Sequence, residues 1–370
     1  AGQAAGLDVL RLLPDTTAIA LSYGIYKTDL SEDAAQHAVF VDVGHAATQV
    51  CVCALKRGQV QILGTAWDRN LGGRDLDAAI FEHFAKQVQT KHGLDVRSHA
   101  RASLRLRMAC ERVKKVLTTN PEAPWSVESL MDDTDVSGSL KRDEFESLAA
   151  SVLERLMAPV QEAMRQAELT PQDVQVVELL GSSSRVPSVV RQLGEFFGRE
   201  PGRTLNAKET VARGCALQSA MLSPSFRVRE LAVLDAFPHA IRFSWDKDGE
   251  RVVSDVFERG AAVPSAKMLT FYRSEPFEIE CAYGPSQDPA ISDKHIATFA
   301  VGPFEVPAGA AAAKLKIKVM LNLNGRLVLD SVQSVVEEEV PEEEAKPAEA
   351  QADPVAMDQD AKEDKDAKED

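Results

Sequence analysis

The hydrophobic period of this 370-residue chain changes near residue 227. Before that point, apolar residues recur at three- and four-residue spacing between short strand-like runs. After it, to about residue 335, the pattern is strands and turns. The sharpest case is Leu315, Ile317, Val319, Leu321 and Leu323, interleaved with Lys314, Lys316, Lys318, Met320, Asn322 and Asn324. Asn324-Gly325 signals a hairpin turn, and Leu327 and Leu329 resume the alternation. One face is apolar and the other basic or polar, which predicts a half-exposed antiparallel sheet. A mixed α/β part followed by an all-β part is therefore expected, in line with the two or three domains that this length allows.

Within the first part, residues 1–24 read as a helix, broken and restarted at Pro14-Asp15-Thr16, with Asp15 or Thr16 as the N-cap. Residues 38–54 read as two strands around Gly44, and 59–66 as a third after the Arg57-Gly58 turn: a β-meander, not a βαβ unit. Residues 75–119 are helical with an interruption near Gly93. In 144–167, Phe145, Leu148, Val152, Leu156, Val160, Met164 and Ala167 form one buried stripe, with a kink expected at Pro159. A short strand at 174–181, a Ser-rich turn, and helices at 186–197 and 208–221 follow.

Charge is unevenly spread. The net charge is −15, but residues 337–370 alone hold 15 acids and 4 lysines. That run of Glu, Lys, Pro, Ala and Asp has too little apolar surface to offset its ordering entropy and is expected to be disordered. The acidic balance argues against a nucleic-acid partner. No apolar run approaches the ~18 residues of a spanning helix, so no membrane anchor is expected. The five cysteines (Cys51, Cys53, Cys110, Cys215, Cys281) are scattered. Cys51 and Cys53 alternate with Val50 and Val52 and should share one strand face as packed thiols in a reducing compartment. The chain starts without Met and without a visible signal peptide, which reads as a fragment.

Four segments could carry chemistry. Asp42-Val43-Gly44-His45-Ala46-Ala47-Thr48-Gln49 is a strand, a carboxylate and a Gly turn that can offer backbone N–H groups to a phosphate; by itself it also reads as an ordinary hairpin. Gly72-Gly73-Arg74-Asp75-Leu76-Asp77 is a second phosphate cradle or a capped helix start. Gly181-Ser182-Ser183-Ser184-Arg185-Val186-Pro187 joins a buried strand to a helix N-terminus. Glu111, Lys114 and Lys115 lie at helical spacing, which alone describes a solvated face. Asp133 to Glu144 matches a calcium-loop template at several positions, but Lys141 stands where a ligand belongs. A hairpin turn before a capped helix is the expectation there.

Taken in order, these segments are far more specific than any one alone. Together with Ala5-Gly6-Leu7-Asp8-Val9-Leu10-Arg11-Leu12 and Ala212-Arg213-Gly214-Cys215-Ala216-Leu217-Gln218, they resemble the heat shock protein 70 superfamily over residues 1–336. Val43-Gly44-His45 with Gln49, Asp132-x-x-Asp135-Val136-Ser137-Gly138, Ser223-Pro224-x-Phe226-x-Val228-Arg229-Glu230 and Leu269-Thr270-Phe271-Tyr272-Arg273 resemble its heat shock protein 110 branch. The resemblance implies an α/β actin-like (ribonuclease H-like) nucleotide-binding domain, N-terminally truncated, followed by an all-β sandwich and the acidic tail. Residues 1–28 would end lobe one. Residues 29–226 would form lobe two, with an outer part at 72–149 and a returning lobe-one helix at 206–225. Residues 227–336 would be the substrate-binding sandwich and 337–370 an acidic insertion; most of lobe one and a helical lid would be missing.

The same resemblance implies ATP or ADP with Mg2+ as cofactor of the full-length protein, in a cleft that the residues of this chain leave incomplete. Asp42, Gly44 and His45 would sit at a phosphate loop, Asp15 near the metal-water shell, and Gly72 and Gly73 behind the phosphates. Glu111, Lys114 and Lys115 would edge the adenosine, with Gly181, Ser183 and Arg185 on its other side. The heat shock protein 70 loop reads Asp-x-Gly-Gly-Gly-Thr-Phe-Asp; here Ala47 replaces the Thr and Gln49 the final Asp. Ser182 replaces a Gly and Lys208 an Asp. A hydroxyl for the γ-phosphate and a carboxylate near the metal are gone, each worth roughly 2–4 kcal/mol in the transition state. ATP binding with slow or negligible hydrolysis is the expectation. The implied function is that of a chaperone: a nucleotide exchange factor for heat shock protein 70 partners and a holder of unfolded polypeptides, in the cytoplasm and nucleus or, with a signal ahead of Ala1, the endoplasmic reticulum. The alternatives are an ATP-hydrolysing foldase, an actin-fold small-molecule kinase and an acidic scaffold. Leu269, Phe271 and Tyr272 read either as core strand or as a peptide grip.

Overall fold

A computed structural model describes residues 1–247, 249–285 and 291–336; the acidic run 337–370, expected to be disordered, lies outside the described residues. The chain begins with one 3-10 turn (Gln3–Ala5) and an extended stretch, then α1 (Asp15–Gly24). A meander follows: β1 (Gln36–Val43), β2 (Thr48–Lys56) and β3 (Gln59–Asp68). Next come α2 (Gly73–His92), α3 (Ala100–Val116), the hairpin β4 (Glu122–Met131) and β5 (Thr134–Lys141), α4 (Arg142–Leu148) and α5 (Ala150–Gln166). The mixed part closes with β6 (Val176–Leu180), α6 (Pro187–Phe197) and α7 (Thr210–Leu222). Only strands follow: β7 (Ala232–Ala236), β8 (Ile241–Lys247), β9 (Glu250–Phe257), β10 (Ala262–Val263), β11 (Ser265–Arg273), β12 (Phe277–Tyr283), β13 (His295–Val301), β14 (Ala313–Leu321) and β15 (Leu327–Val335).

The central sheet runs β10-β7-β3-β2-β1-β6. Both its faces are covered, which is why β1 and β2 are apolar at nearly every position. Val39, Val41, Val43, Val50 and Val52 face the core beneath α2, α3, α5 and α6. Ala38, Phe40, Cys51, Cys53 and Leu55 face the other way, toward α1 and α7. Cys51 and Cys53 thus share one face, as the alternation predicts, and both are free and buried. β6 joins β1 in parallel, placing Leu180 beside Asp42. β7 joins β3 in parallel, so the sheet continues across the change of period near residue 227.

Beyond β7, a four-stranded sheet (β13-β12-β8-β9) and a three-stranded sheet (β11-β14-β15) share one core. Phe243, Phe257, Ile279 and Cys281 meet Phe271, Leu315, Ile317 and Val319 there. The alternation in β14 is realised: Leu315, Ile317, Val319 and Leu321 are fully buried, and the opposite face carries the lysines, Lys318 pairing with Asp330 at 2.9 Å. Gly325 turns the hairpin at φ +66°, and Asn322 Oδ1 accepts the Asn324 and Arg326 amides at 3.0 Å. Phe271 is core; its neighbour Tyr272 is 65% exposed.

Three local readings differ. Residues 7–14 are extended, not helical, and Leu7 is 65% exposed. Gly6 ends the first turn at φ +74°, and the Leu12 amide donates to Asn324 Oδ1 at 2.9 Å while Arg11 Nε donates to the Leu323 carbonyl, so this backbone serves the β14–β15 turn instead of a helix. Pro14, not Asp15 or Thr16, occupies the cap of α1, and Asp15 is in its first turn. The stripe over 144–167 is broken at Ala149 (φ −93°, ψ 5°), with Pro159 carried inside α5. The segment weighed as a calcium loop is the β4–β5 hairpin, its turn made by Asp132 and Asp133 at positive φ. No described helix is long and apolar enough to cross a membrane.

Candidate functional site

The β1–β2 turn is short, and its own carbonyls hold a second loop against it. The Gly44 amide donates to Ala47 O at 2.9 Å, and Gly44 O and His45 O accept from the amides of Gly73 (3.0 Å) and Arg74 (2.9 Å). Thr48 Oγ1 donates to Leu71 O at 2.9 Å from a buried position. The Gly72 amide donates to Asp75 Oδ2 at 2.8 Å, starting α2. A Cβ at Gly72 would lie 2.5 Å from His45 O, so glycine is required for the two loops to meet. The His45 and Ala46 amides take no part in these backbone bonds and remain available at the turn.

The β6–α6 connection forms the opposite side. Gly181 has φ +75° and ψ 149°, a conformation essentially reserved for glycine. A Cβ there would enter the Asp42 carboxylate and come within 2.5 Å of the Val43 carbonyl carbon. Ser183 is buried beside Gly73; a Cβ on Gly73 would strike its Oγ. Ser184 Oγ donates to Gly181 O at 2.8 Å and fixes the turn.

Beneath Gly73 lies a buried ion pair. Lys114 Nζ sits 2.8 Å from Asp77 Oδ1 and donates to Gly73 O at 2.9 Å. Burial still pushes the Asp77 carboxyl upward, against the pull of Lys114. Lys115 and Glu111 form an exposed i,i+4 pair at 2.6 Å above it, which lowers the Glu111 carboxyl. His45 lies near enough to both carboxylates to favour their charged forms.

Asp15 reaches this region from α1. Gln49 Nε2 donates to Asp15 Oδ2 at 3.4 Å. Asp42 is raised to about 6, first by burial and then by the charge of Asp15. Protonation of Asp42 is thus favoured by folding, and its unfavourable ionisation sets in as pH rises from about 4 through 6. The full shift corresponds to about 3 kcal/mol; with partial solvent access about 1–2 kcal/mol is expected. Asp42→Asn should therefore raise the thermal midpoint relative to the parent at pH 7 and not at pH 4. A midpoint difference that is the same at both pH values contradicts this.

Of the residues named from sequence, Asp42, Gly44, His45, Gly72, Gly73, Lys114, Gly181 and Ser183 converge around one turn, and Glu111 and Lys115 rim it. Asp15 joins through Gln49. Arg185 is exposed in the 3-10 turn after Ser183 and makes no polar contact with the others. Lys114 is not on the solvated face that its spacing allows. Asp77, its partner, and Thr48, the loop clamp, were missed as functional positions. The available signal was Lys114 itself, which falls on the buried stripe of α3 with Leu106, Cys110 and Val113 and so demands a counter-charge.

The arrangement fits a phosphate chain with a hydrated cation. Two mutually repelling carboxylates, Asp15 and Asp42, have no cation paired to them among the described residues, and Mg2+ typically takes one or two carboxylates and keeps its waters. The free turn amides and glycine-lined walls suit phosphate oxygens. Asp15 and Asp42 could hold the metal shell; Gly44, His45, Gly72 and Gly73 could hold the phosphates. The Thr48 hydroxyl does not replace the one absent at Ala47, because it is buried and committed to Leu71 O.

The family model described as Hsp70 protein matches residues 1–370. The chain is 48% identical over 345 residues to Heat shock 70 kDa protein 14 of Arabidopsis thaliana, covering 91% of this chain and 41% of that one. It is 47% identical over 332 residues to Heat shock 70 kDa protein 16 of Arabidopsis thaliana, covering 88% and 43%. It is 42% identical over 354 residues to Heat shock 70 kDa protein 4 of Homo sapiens, covering 94% and 42%. The chain spans about two fifths of the length of these curated relatives. With its whole length matched by that family model and relatives up to 48% identical over nine-tenths of it, the chain belongs to the heat shock protein 70 family, in its heat shock protein 110 branch.

Proposed function

We propose that this chain is the nucleotide- and polypeptide-binding part of a chaperone of the heat shock protein 110 type. As part of the full-length protein it binds ATP or ADP with Mg2+ through the turn at Asp42–Gly44–His45 and the Gly72–Gly73 and Gly181–Ser183 loops, with the rest of lobe one completing the cleft, and hydrolyses ATP slowly. It speeds nucleotide release from a heat shock protein 70 partner, through the outer part at 72–149, and holds unfolded polypeptides, in the cytoplasm and nucleus. The observation that carries this reading is the turn itself. Its backbone bonds hold two loops together around Gly44, yet Ala47 supplies no hydroxyl and Gln49 turns an amide toward Asp15 where the resemblance implies a carboxylate beside the metal. A binding site without its hydrolytic groups suits a regulator better than a turnover enzyme.

The two facing sheets after β7 support a sandwich serving as the polypeptide-holding unit, with the divisions 1–28, 29–226 and 227–336 as its domain plan. Tyr272, exposed beside a sheet edge, is a candidate contact for an extended chain. The exchange role is tested by releasing labelled ADP from a heat shock protein 70 partner with and without the full-length protein. Acceleration of at least about tenfold is expected; an unchanged release rate removes that role.

A further inference from the structure

A second cavity, separate from the glycine-lined turn, lies where the helical layer over the central sheet meets the four-stranded sheet. Its volume is about 1020 Å³. One wall is the end of β3, with Asp68 and Arg69, and the face of α5 that carries Arg155, Glu162 and Arg165. The other wall holds His239 after β7, Arg259 after β9 and Lys294 before β13. The walls touch directly: Arg259 Nη1 reaches Glu162 Oε1 at 2.9 Å, and Trp67 meets His239 edge-on at 5.7 Å.

The charges of this cavity do not balance. Arg69 aside, four cations line it against two carboxylates, in a chain that is acidic overall. Asp68 is taken by Arg155 at 2.7 Å. Glu162 is shared: Arg165 grips both its oxygens at 2.8 and 2.9 Å, and Arg259 takes one of them as well. One carboxylate between two guanidiniums leaves a positive charge over. Lys294 has no ion pair among the described residues. Uncompensated guanidiniums crowded into a bounded cavity repel one another unless an anion enters, and their fork geometry suits tetrahedral oxyanions that accept several N–H bonds at once.

We propose that this cleft binds a compact polyphosphate anion, held from the helical wall by Arg165 and from the β wall by Arg259 and Lys294. Such a ligand touches both walls and therefore stabilises their contact by mass action. A cavity enclosed on two sides takes a small, highly charged ligand more readily than an extended acidic chain. Inorganic tripolyphosphate is the probe.

The test is calorimetric titration of tripolyphosphate into this chain, repeated at two salt concentrations and with excess ADP. One saturable site is expected, weakened by salt, unaffected by ADP and accompanied by a raised thermal midpoint. Arg165→Gln and Arg259→Gln should each weaken binding about tenfold or more, Lys294→Gln by about threefold, and Arg259→Lys less than Arg259→Gln. Arg97→Gln, whose side chain pairs with Glu82 elsewhere, should bind as the parent does. Each variant is first shown to retain the parent's midpoint without ligand; a variant that does not is replaced by its lysine counterpart. Absence of a saturable site overturns the proposal, as do equal affinities across the cleft variants. Competition by ADP also overturns it, by placing the anion at the glycine-lined turn.

Discussion

Lys114→Met is expected to lower the free energy of unfolding by about 3–5 kcal/mol at pH 7, measured by urea titration. Both members of the Lys114–Asp77 pair are about nine-tenths removed from water. The pair itself gains little net stability, since the desolvation of two ions offsets most of their attraction. Removing one member is different, because it leaves a carboxylate buried without a counter-ion. Burial already dominates the upward push on Asp77 with Lys114 present, so without Lys114 the folded-state value rises further. The sign of the pH dependence follows. A folded value above the unfolded one means that the variant keeps its stability below about pH 4 and loses it as pH rises toward neutrality. The double change Asp77→Leu with Lys114→Met removes both charges and should return to within about 1 kcal/mol of the parent. A small loss for Lys114→Met that is flat with pH contradicts the buried-pair reading. Since Lys114 also donates to Gly73 O, the single variant should weaken nucleotide binding as well.

Gly181→Ala should cost about 2–4 kcal/mol and displace Asp42. Its backbone lies in a region that a side chain enters only at about 1–3 kcal/mol, and its Cβ would overlap the Val43 carbonyl and the Asp42 carboxylate. Gly198 provides the comparison. It too has positive φ (+63°), but open space surrounds its Cβ position, so Gly198→Ala should cost only the backbone preference of about 1–2 kcal/mol. The difference between the two variants combines the stricter backbone region of Gly181 with its contact with the β1–β2 turn. Equal losses would contradict both contributions.

Much of this was legible in the residues. Alternation in β14 fixed which face is buried, because a half-exposed strand can satisfy its pattern in only one register. The continuous apolar runs of β1 and β2 likewise follow from a sheet covered on both sides. The extended segment at 7–14 was not legible. Its leucines are crowded enough to pass for a helix face, and what decides its form is a hydrogen bond to Asn324, more than 300 residues away. The break at Ala149 was hidden because its apolar stripe continues through it. At the site, the individual loops were ambiguous and their order was not. The Lys114–Asp77 pair escaped because pairing across two helices is a tertiary fact; only the placement of a lysine on a buried stripe announces it. The cation-rich cleft draws on residues 69, 155, 165, 259 and 294, and no local motif joins them.

The central claim is that the cradle around Asp42 retains nucleotide binding without the groups for fast hydrolysis. Its most direct test is a paired measurement on the full-length protein: equilibrium binding of ATP with Mg2+, and steady-state turnover beside an ordinary heat shock protein 70. Saturable binding is predicted, with turnover at least about 100-fold lower, and with Ala47→Thr plus Gln49→Asp raising it. Turnover matching the ordinary protein, or no saturable binding at all, would contradict the account.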